Sequence, residues 1–421
     1  MLSKKIERDF SLTQLKEYIL PFWLKNAIDS EYGGYFTCFD NEGGSLLSTD
    51  KYLWSQGRFL WILSKLCTMN CFSQTEKELF SQYAKSGANF IIEHGTLENG
   101  NCIFLTDRAG NKKLYAGCYD ASYSVDCFVI MGMSMYYVIS GDNQALALAK
   151  RLFRSVMDRI NSGTVKTEPY PVPKGLKAHA QPMILVNVCQ EFLKALKRSS
   201  DSKTSEIEEI EEIANNNMIE VMDVFTDKDY FIREFISLDN KFKDDTLIGK
   251  YINPGHTIED LWFIIHQTYK HKKRDEYIEK AGKIFNAVFD SGWDSKYGGL
   301  LLFAGKDGGQ PCGDIKGYEN EKMVLKVLND WDCKLWWVHS ESLYTSMLLY
   351  INTGNEVFLN KYKMIKDYTF KVFPNPDKGI GEWVQIKQRD GSNINKVVAL
   401  PVKDPYHIAR NLILLYELLD M

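Results

Sequence analysis

The sequence predicts an all-α protein built as a closed ring of helix pairs, and three observations lead to this prediction. Long segments with helical spacing of apolar residues dominate the 421-residue chain. Between them, short turn-rich segments recur at intervals of roughly 65 to 80 residues, which is how a repeat architecture appears in a sequence. No Pro/Ser-rich linker divides the chain, so residues 1–421 are expected to form one domain.

The helical segments have apolar side chains three and four residues apart, so that each presents a continuous apolar face. The clearest of them cover residues 52–67, 122–140, 181–196, 258–270, 339–353 and 406–419.

The turn-rich segments have alternating apolar residues and are interpreted as small β-hairpins, because their Gly and Asp residues suit tight turns. Five clear copies and one weaker copy cover residues 30–43, 97–111, 229–241, 296–308, 380–392 and, for the weaker one, 164–175. Six units of about 70 residues, each with two helices and a hairpin, then account for the chain. We expect a toroid with inner helices around a funnel, because hairpins at one end of every unit would build a shared rim. An open solenoid is the alternative.

Composition excludes several classes of protein. The chain is 45% hydrophobic and 25% charged with a net charge of -4, so no basic face for nucleic acid is expected. No apolar run reaches the roughly 18 residues of a membrane span, and the first 15 residues lack the apolar stretch of a secretory signal. The nine cysteines lack metal-site spacing and are typical of reduced thiols. We therefore expect a cytoplasmic protein with no membrane or nucleic-acid partner.

Two histidines stand out because each lies in a short polar loop that leads into an apolar helix. His256 lies in NPGHTIEDLWFII and His407 in KDPYHIARNLILLY. Imidazole has an ordinary pKa of roughly 6.5, the side-chain value nearest to neutrality. Two such groups across a pocket can remove a proton from one face of a carbon and return one to the other face, as an epimerase requires. Either histidine taken alone is more often a structural residue.

Charged neighbours would tune these two histidines. Glu259 lies three residues after His256, on the same helix face, where it can hold the imidazole in one tautomer. Arg410 lies three residues after His407, and its charge would favour the neutral, base-competent imidazole. The alternative for His407 is a helix-capping histidine.

Three further motifs carry candidate binding residues. In KLWWVHSESLYTSMLLY, Trp337 and Glu341 suggest a clamp for sugar hydroxyls, with core packing and helix capping as alternatives. Arg58, in YLWSQGRFLW, needs either a buried carboxylate partner or a polar cavity, where it would bind a developing enolate oxygen. His179, in KAHAQPMIL, is expected to line the rim. The HExxH motif is absent around His256, so no metal is expected.

Five motifs occur in the order WSQGR, NPGHTIE, KLWWVHSE, GEWVQIKQRDG and PYHIARNL, over nearly the full length of the chain. With them the chain resembles the N-acylglucosamine 2-epimerase family, whose members share an (α/α)6 barrel. The motif NPGHTIE is similar to the corresponding motif of the N-acetylglucosamine 2-epimerase branch. The segment of residues 305–332 is longer than in some relatives, which would alter the rim and substrate choice.

The resemblance implies that His256 and His407 are the two acid/base catalysts, that Arg58 contacts the substrate near carbon-2 and its carbonyl, and that Glu341 orients the sugar or a catalytic histidine. Further substrate contacts are expected from Glu259, Trp337, His179 and Arg410. Enzymes of this branch interconvert N-acetyl-D-glucosamine and N-acetyl-D-mannosamine in sialic acid metabolism. The resemblance also implies a homodimer, no cofactor required for the chemistry, and ATP as a non-consumed activator.

Three other functions stay open at this stage. A cellobiose 2-epimerase or a mannose-type aldose-ketose isomerase would keep the fold and change the substrate or outcome. A glycosidase would need two carboxylates roughly 5 to 9.5 Å apart, for which Glu259 and Glu341 are the candidates, but it would leave the histidines unexplained. A non-catalytic protein similar to the renin-binding relatives is the third.

Overall fold

The computed structural model describes residues 3–420, and within this range helices account for most of the secondary structure. The helices are α1 (Lys4–Thr13), α2 (Leu20–Asn26), α3 (Leu53–Leu66), α4 (Gln74–His94), α5 (Tyr123–Ser140), α6 (Asn143–Asn161), α7 (Ala180–Arg198), α8 (Thr204–Ile219), α9 (Leu247–Lys250), α10 (Pro254–Thr268), α11 (Arg274–Gly292), α12 (Lys322–Asp330), α13 (Trp336–Thr353), α14 (Glu356–Val372) and α15 (His407–Asp420). π-Helical turns at Gln14–Ile19 and Glu220–Phe225 follow α1 and α8.

Six inner helices form the ring: α3, α5, α7, α10, α13 and α15. Each packs on an outer partner, which is α4, α6, α8, α11, α14 and, for α15, the N-terminal α1. The ring closes between α15 and α3, where Lys65 Nζ lies 2.7 Å from Glu417 Oε1. Just before α15, the ring of Tyr406 meets that of Trp61 edge-on, with centroids 5.6 Å apart. The predicted toroid of six helix pairs is therefore confirmed, and the first and last segments of the chain form one of its pairs.

Inner and outer helices are joined by very short turns where the sequence places glycine before a capping residue. Gly141 ends α5 with φ of 71°, and the Asp142 side chain accepts a hydrogen bond from the Gln144 amide at the start of α6. Gly354 ends α13 with φ of 67°, and Asn355 caps α14 in the same way. A left-handed glycine reverses the chain, and the next side chain begins the returning helix.

The inner helices are apolar on nearly all sides because other helices surround them. Among the described residues, α5 is long and apolar enough to cross a membrane by length and composition, with a mean hydropathy of 1.2 over 18 residues. Of these residues, 78% are buried inside the protein. The composition of α5 is therefore explained by its place in the ring.

Among residues 3–420, seven short strands form three antiparallel sheets. They are β1 (Lys51–Tyr52), β2 (Leu105–Thr106), β3 (Lys112–Lys113), β4 (Leu176–Ala178), β5 (Phe235–Ser237), β6 (Lys334–Leu335) and β7 (Ile386–Lys387), paired in the orders β1-β2-β3, β4-β5 and β6-β7. Antiparallel turns form at or beside the predicted turn-rich segments, and most of them are closed by single bridges such as Thr96–Cys102 and Trp293–Leu300. Within residues 3–420, the β2–β3 ladder is the hairpin that has two paired residues in each strand. The other ladders join segments on either side of a helix pair, so the rim ties one unit to the next.

The strands also show at which end of the ring the inner helices begin. β1 and β6 run directly into α3 and α13, and β4 ends one residue before α7. Because each outer helix returns the chain, all six inner helices run in the same direction. Their N-terminal ends, where the helix dipole is positive, therefore gather at the strand-bearing end of the ring.

Two buried ion clusters of the same composition strengthen this rim. Each joins a fully buried Asp to a fully buried Lys on the strand before an inner helix and to an Arg of a later turn. The clusters are Asp29–Lys51–Arg108 and Asp294–Lys334–Arg389, with Lys–Asp distances of 2.9 and 3.1 Å. Burial raises the pKa of each aspartate, but hydrogen bonds to the two cations outweigh it and lower the pKa to about 2. Both aspartates are therefore ionised at neutral pH.

The closest helix contact in the ring lies between α3 and α5. A Cβ atom on Gly132 would lie 2.4 Å from the carbonyl oxygen of Gly57, and one on Gly57 would lie 2.5 Å from that of Phe128. Both obstacles are backbone atoms, which cannot rotate away. The two glycines therefore set how closely the first two inner helices approach.

We expect Gly132→Ala to lower the free energy of unfolding by about 1 to 3 kcal/mol, because the added methyl group forces α3 and α5 apart. The measurement is a urea unfolding curve. Gly44→Ala is the matched control, since Gly44 is exposed and a Cβ there would meet only Asp40 Oδ2, at 3.7 Å. Equal midpoints for the two variants would show that the close approach does not stabilise the ring.

Candidate active site

His256 lies in the first turn of α10 and is placed by the residues before it. α10 begins at Pro254, so His256 lies inside the helix and not in the loop before it, and the Asn253 side chain accepts a hydrogen bond from the His256 amide at 3.2 Å. Gly255 is required by its neighbour on α13, because a Cβ there would lie 2.3 Å from the indole of Trp337. The motif NPGH thus starts the helix, caps it and lets an aromatic ring approach the histidine.

The partner of the His256 imidazole is Glu234, not Glu259 as the sequence suggested. Nδ1 of His256 lies 2.9 Å from Glu234 Oε2. Burial lowers the pKa of His256, but the Glu234 carboxylate outweighs it and raises the pKa above the ordinary value. Burial raises the pKa of Glu234, but the adjacent histidines lower it to about 2. An ionised carboxylate only accepts hydrogen bonds, so Nδ1 of His256 carries the hydrogen.

His407 is the first residue of α15, as predicted, and is buried. Its backbone amide donates to Asp404 Oδ2 at 2.9 Å, which fixes the start of the helix. Its Nδ1 lies 2.7 Å from Glu341 Oε1. The imidazole is therefore held as that of His256 is, with Nδ1 donating to a buried carboxylate.

Glu341 is fully buried in the second turn of α13, so it is not the helix cap that was the alternative. Its Oε1 accepts hydrogen bonds from His407 at 2.7 Å, from Arg410 Nη2 at 2.5 Å and from Asn411 Nδ2 at 2.8 Å. Its Oε2 accepts one from Trp262 Nε1 at 2.8 Å. Burial raises the pKa of Glu341, but Arg410 and His407 lower it to about 2. The carboxylate is ionised and its hydrogen-bonding capacity is largely used.

Arg410 and Glu259 lie behind His407, although the sequence suggested that both contact the substrate. The Arg410 side chain is 2% exposed. Its Nη2 donates to Glu259 Oε1 and to Glu341 Oε1, and lies 3.3 Å from His407 Nδ1. The three side chains are therefore bound to one another, because a buried guanidinium requires carboxylate partners.

Trp337 lies between the two catalytic candidates and is half-buried. The centroid of its ring is 5.6 Å from that of His256 and 5.8 Å from that of His407. Within residues 3–420, no side chain forms a hydrogen bond to Nε2 of either histidine. Two imidazoles thus flank one indole, each with Nδ1–H on a carboxylate and a free Nε2. In the neutral imidazole that nitrogen carries the lone pair.

Arg58 lies in the second turn of α3 with 16% of its side chain exposed, and four contacts hold it. Its guanidinium lies 5.3 Å from the centroid of the Trp54 ring. Its guanidinium stacks over the ring of Phe128 with 4.0 Å to the centroid, and it lies 5.2 Å from the centroid of Tyr406. Its Nη1 lies 3.4 Å from Asp404 Oδ1. Burial raises the pKa of Asp404, but His407 and Arg58 outweigh it and lower the pKa. Because Asp404 also caps α15, it joins Arg58 to the same corner as His407.

His179 is fully buried and does not line the rim as expected. Its Nε2 lies 2.7 Å from Asp260 Oδ2 and its Nδ1 lies 3.4 Å from Glu234 Oε1. Glu234, Asp260 and Asp404 were missed by the sequence analysis. Asp404 had a usable signal, because an aspartate directly before a proline is a typical N-cap whose side chain accepts from the amide three residues on. Glu234 and Asp260 had none, since their partners lie far away in the sequence.

Two groups of side chains have the ligand types of a metal site, with their ligand atoms within 4.8 Å of one another. They are His179–Glu234–His256 and Glu259–Glu341–His407. In both groups, imidazole and carboxylate are already hydrogen-bonded to each other, and in the second group Arg410 binds both carboxylates. The geometry suits ion pairs that orient two imidazoles for proton transfer.

Sequence comparison matches most of this chain to one family of known proteins. The family model of N-acylglucosamine 2-epimerase (GlcNAc 2-epimerase) matches residues 34–410. N-acylglucosamine 2-epimerase of Rattus norvegicus is 25% identical over 95% of this chain and 89% of its own length. Cellobiose 2-epimerase of Ruminococcus albus is 24% identical over 94% of this chain and 95% of its own length.

Solved structures show the same architecture. Cellobiose 2-epimerase from Bacillus thermoamylovorans superposes with a TM-score of 0.74 at 20% identity, covering 98% of this chain and 99% of that chain. A crystal structure of D-mannose isomerase gives a TM-score of 0.74 at 16% identity over 99% and 98% of the two chains. The (α/α)6 barrel is thus common to enzymes that epimerise or isomerise sugars. With most of its length matched by the family model, this chain belongs to the N-acylglucosamine 2-epimerase family and is a sugar epimerase.

Proposed function

We propose that the protein interconverts N-acetyl-D-glucosamine and N-acetyl-D-mannosamine by proton transfer at carbon-2 between His256 and His407. The observation that supports this most is the pair of imidazoles on either side of Trp337, each with a free Nε2. The four mammalian relatives named N-acylglucosamine 2-epimerase support the choice of substrate.

The reaction begins from the ring-opened sugar, whose aldehyde makes the proton on carbon-2 acidic. Nε2 of one histidine removes this proton and leaves an enolate. Nε2 of the other histidine, in its protonated form, delivers a proton to the opposite face. Because Glu234 and Glu341 hold the Nδ1 hydrogens, each ring exchanges its proton only at the nitrogen that faces the substrate.

Three features of the site suit the charge and shape of the intermediate. Arg58, oriented by Asp404 and three aromatic rings, is placed to stabilise the enolate oxygen. The positive N-terminal ends of the inner helices favour the same anion. The indole of Trp337 offers an apolar face between the two imidazoles on which the sugar can pack.

A glycosidase is disfavoured by the contacts of its two candidate carboxylates. Glu259 and Glu341 both accept from the same Nη2 of Arg410, and both are buried. The pKa of Glu341 is lowered to about 2, whereas a general acid needs a raised value. The role in sialic acid metabolism, the homodimer, the cytoplasmic location and activation by ATP stay predictions that follow from the family resemblance.

In deuterated water, we expect the epimeric product to gain deuterium at carbon-2, because the returning proton comes from an imidazole that exchanges with solvent. His256→Ala and His407→Ala should each lower kcat by about 10²- to 10⁴-fold. NMR at carbon-2 and a coupled assay provide the measurements. His271→Ala, in the turn between α10 and α11, is the control. Product that keeps its original hydrogen, or near wild-type activity of either active-site variant, would rule out the two-base mechanism.

We expect Arg58→Met to lower kcat by about 10²- to 10³-fold with a smaller change in KM, because the guanidinium acts on charge that develops in the transition state. Arg58→Lys should retain part of the activity, since it keeps the charge but loses the planar stack. Arg274→Met is the matched control, because Arg274 also stacks on an aromatic ring, that of Tyr269, but on the outer wall. Equal kinetics for Arg58→Met and the control would remove Arg58 from the mechanism.

Side-by-side assays with N-acetylglucosamine, cellobiose and mannose test the choice of substrate. We expect kcat/KM to be highest for N-acetylglucosamine and deuterium to appear at carbon-2. A preference for cellobiose would assign the chain to the cellobiose branch. With mannose, deuterium at carbon-1 of a ketose product would indicate an aldose-ketose isomerase.

A further inference from the structure

Each catalytic imidazole is the first member of a chain of bonded side chains, and the two chains have the same order of charged groups. From His407, hydrogen bonds lead to Glu341, from Glu341 to Arg410, and from Arg410 to Glu259. The order of groups is imidazole, buried carboxylate, buried cation and a second buried carboxylate.

Behind His256 the same order recurs with different residues. Nδ1 of His256 lies 2.9 Å from Glu234 Oε2, Glu234 Oε1 lies 3.4 Å from His179 Nδ1, and His179 Nε2 lies 2.7 Å from Asp260 Oδ2. Both chains end on neighbouring residues of α10, Glu259 and Asp260, which point roughly 100° apart around the helix axis. His179 therefore stands where Arg410 stands in the other chain.

His179 takes this place as a cation. Both of its ring nitrogens face carboxyl oxygens, and the protonated imidazole can donate to both. Burial raises the pKa of Asp260, and the hydrogen bond from His179 acts against this rise. Burial lowers the pKa of His179, but Asp260 and Glu234 raise it to about 9. Its backbone is fixed as well, since its amide donates to the Glu234 carbonyl at 2.9 Å.

We propose that His179 and Asp260 are positioning residues of the epimerase reaction, which hold Glu234 in place and balance its charge so that His256 can alternate between base and acid. This inference rests on the proposed function. Without the His179 cation, Glu234 would be a buried carboxylate paired with His256 alone. It would hold His256 in the protonated form, which cannot remove a proton from the substrate.

The charged groups around His256 define the direction in which its pKa is expected to change when His179 is replaced. Glu234 and Glu259 favour the protonated imidazole, and His179 opposes it. The phenol of Tyr251, whose hydroxyl has no hydrogen-bond partner among residues 3–420, is the neutral group near Glu234. Trp337 contributes only its ring. His179 is thus the cation that opposes protonation of His256.

The experiment compares His179→Gln and Asp260→Asn with the wild type. For His179→Gln we expect kcat to fall about 10- to 100-fold with KM within about 3-fold, because binding does not involve this buried side chain. The acid limb of the kcat/KM profile should move to higher pH, since His256 then loses its proton at higher pH. Asp260→Asn keeps an oxygen to accept from Nε2–H and should show a smaller loss.

A second measurement separates this role from general destabilisation. His266→Gln is the matched control, because His266 is also on an inner helix and bonds to the Tyr344 hydroxyl, 2.8 Å away. Since the pKa of His179 is raised in the folded protein, its stabilising effect is complete below pH about 6.5 and is lost as the pH rises through about 9. Urea midpoints of the wild type should fall over this range, and those of His179→Gln should fall less.

The outcomes distinguish this inference from the proposed function. If the wild type incorporates deuterium at carbon-2 but His179→Gln keeps the wild-type pH profile and kcat, only the inference fails. A loss of activity in His179→Gln that matches the control at equal stability, without a shifted acid limb, also overturns it. If the wild type does not exchange carbon-2 at all, the proposed function fails first.

Discussion

One buried carboxylate, that of Glu341, holds three inner helices of the ring together. It sits on α13, accepts from Trp262 on α10, and accepts from His407, Arg410 and Asn411 on α15. An ionised group removed from water must be paired almost completely, because removing one partner of a buried ion pair typically costs about 3 to 5 kcal/mol. The helices therefore meet in the one arrangement that satisfies Glu341. The orientation of His407 follows from the same arrangement, so the packing of α10, α13 and α15 also positions its imidazole.

His256 depends on the rim of the barrel in a corresponding way. Its partner Glu234 lies directly before β5, and β5 pairs with β4, which leads into His179 and α7. A strand pair of three residues thus brings a carboxylate and a histidine from different units to the same imidazole. The strands that join one unit to the next are what allow a residue 22 positions before His256 to reach its ring.

Much of the fold and the principal side chains were predictable from the sequence, because their signals are local. Helical spacing and the recurring turn segments indicated six units, and the polar loop around each histidine indicated approximately where its helix begins. The pairing of the strands was not predictable, since two residues of alternating character do not specify a distant partner. The partners of the charged residues were missed for the same reason. Glu259 lies one turn from His256, yet α10 turns it toward Arg410 on α15, and only the packing of the ring decides this.

The two chains behind the histidines also differ in one respect that bears on the chemistry. Arg410 stays charged at every pH that the protein meets, so the field on Glu341 and His407 is constant. His179 can lose its proton at high pH, and Asp260 is the group that prevents this near neutrality. A two-base reaction needs its histidines in opposite protonation states at the start of each turnover and in exchanged states at its end. Both cations are charged near neutrality, so the charges of Glu234 and Glu341 are both balanced there. At high pH, loss of the His179 proton would leave Glu234 paired with His256 alone and would favour the protonated form of His256.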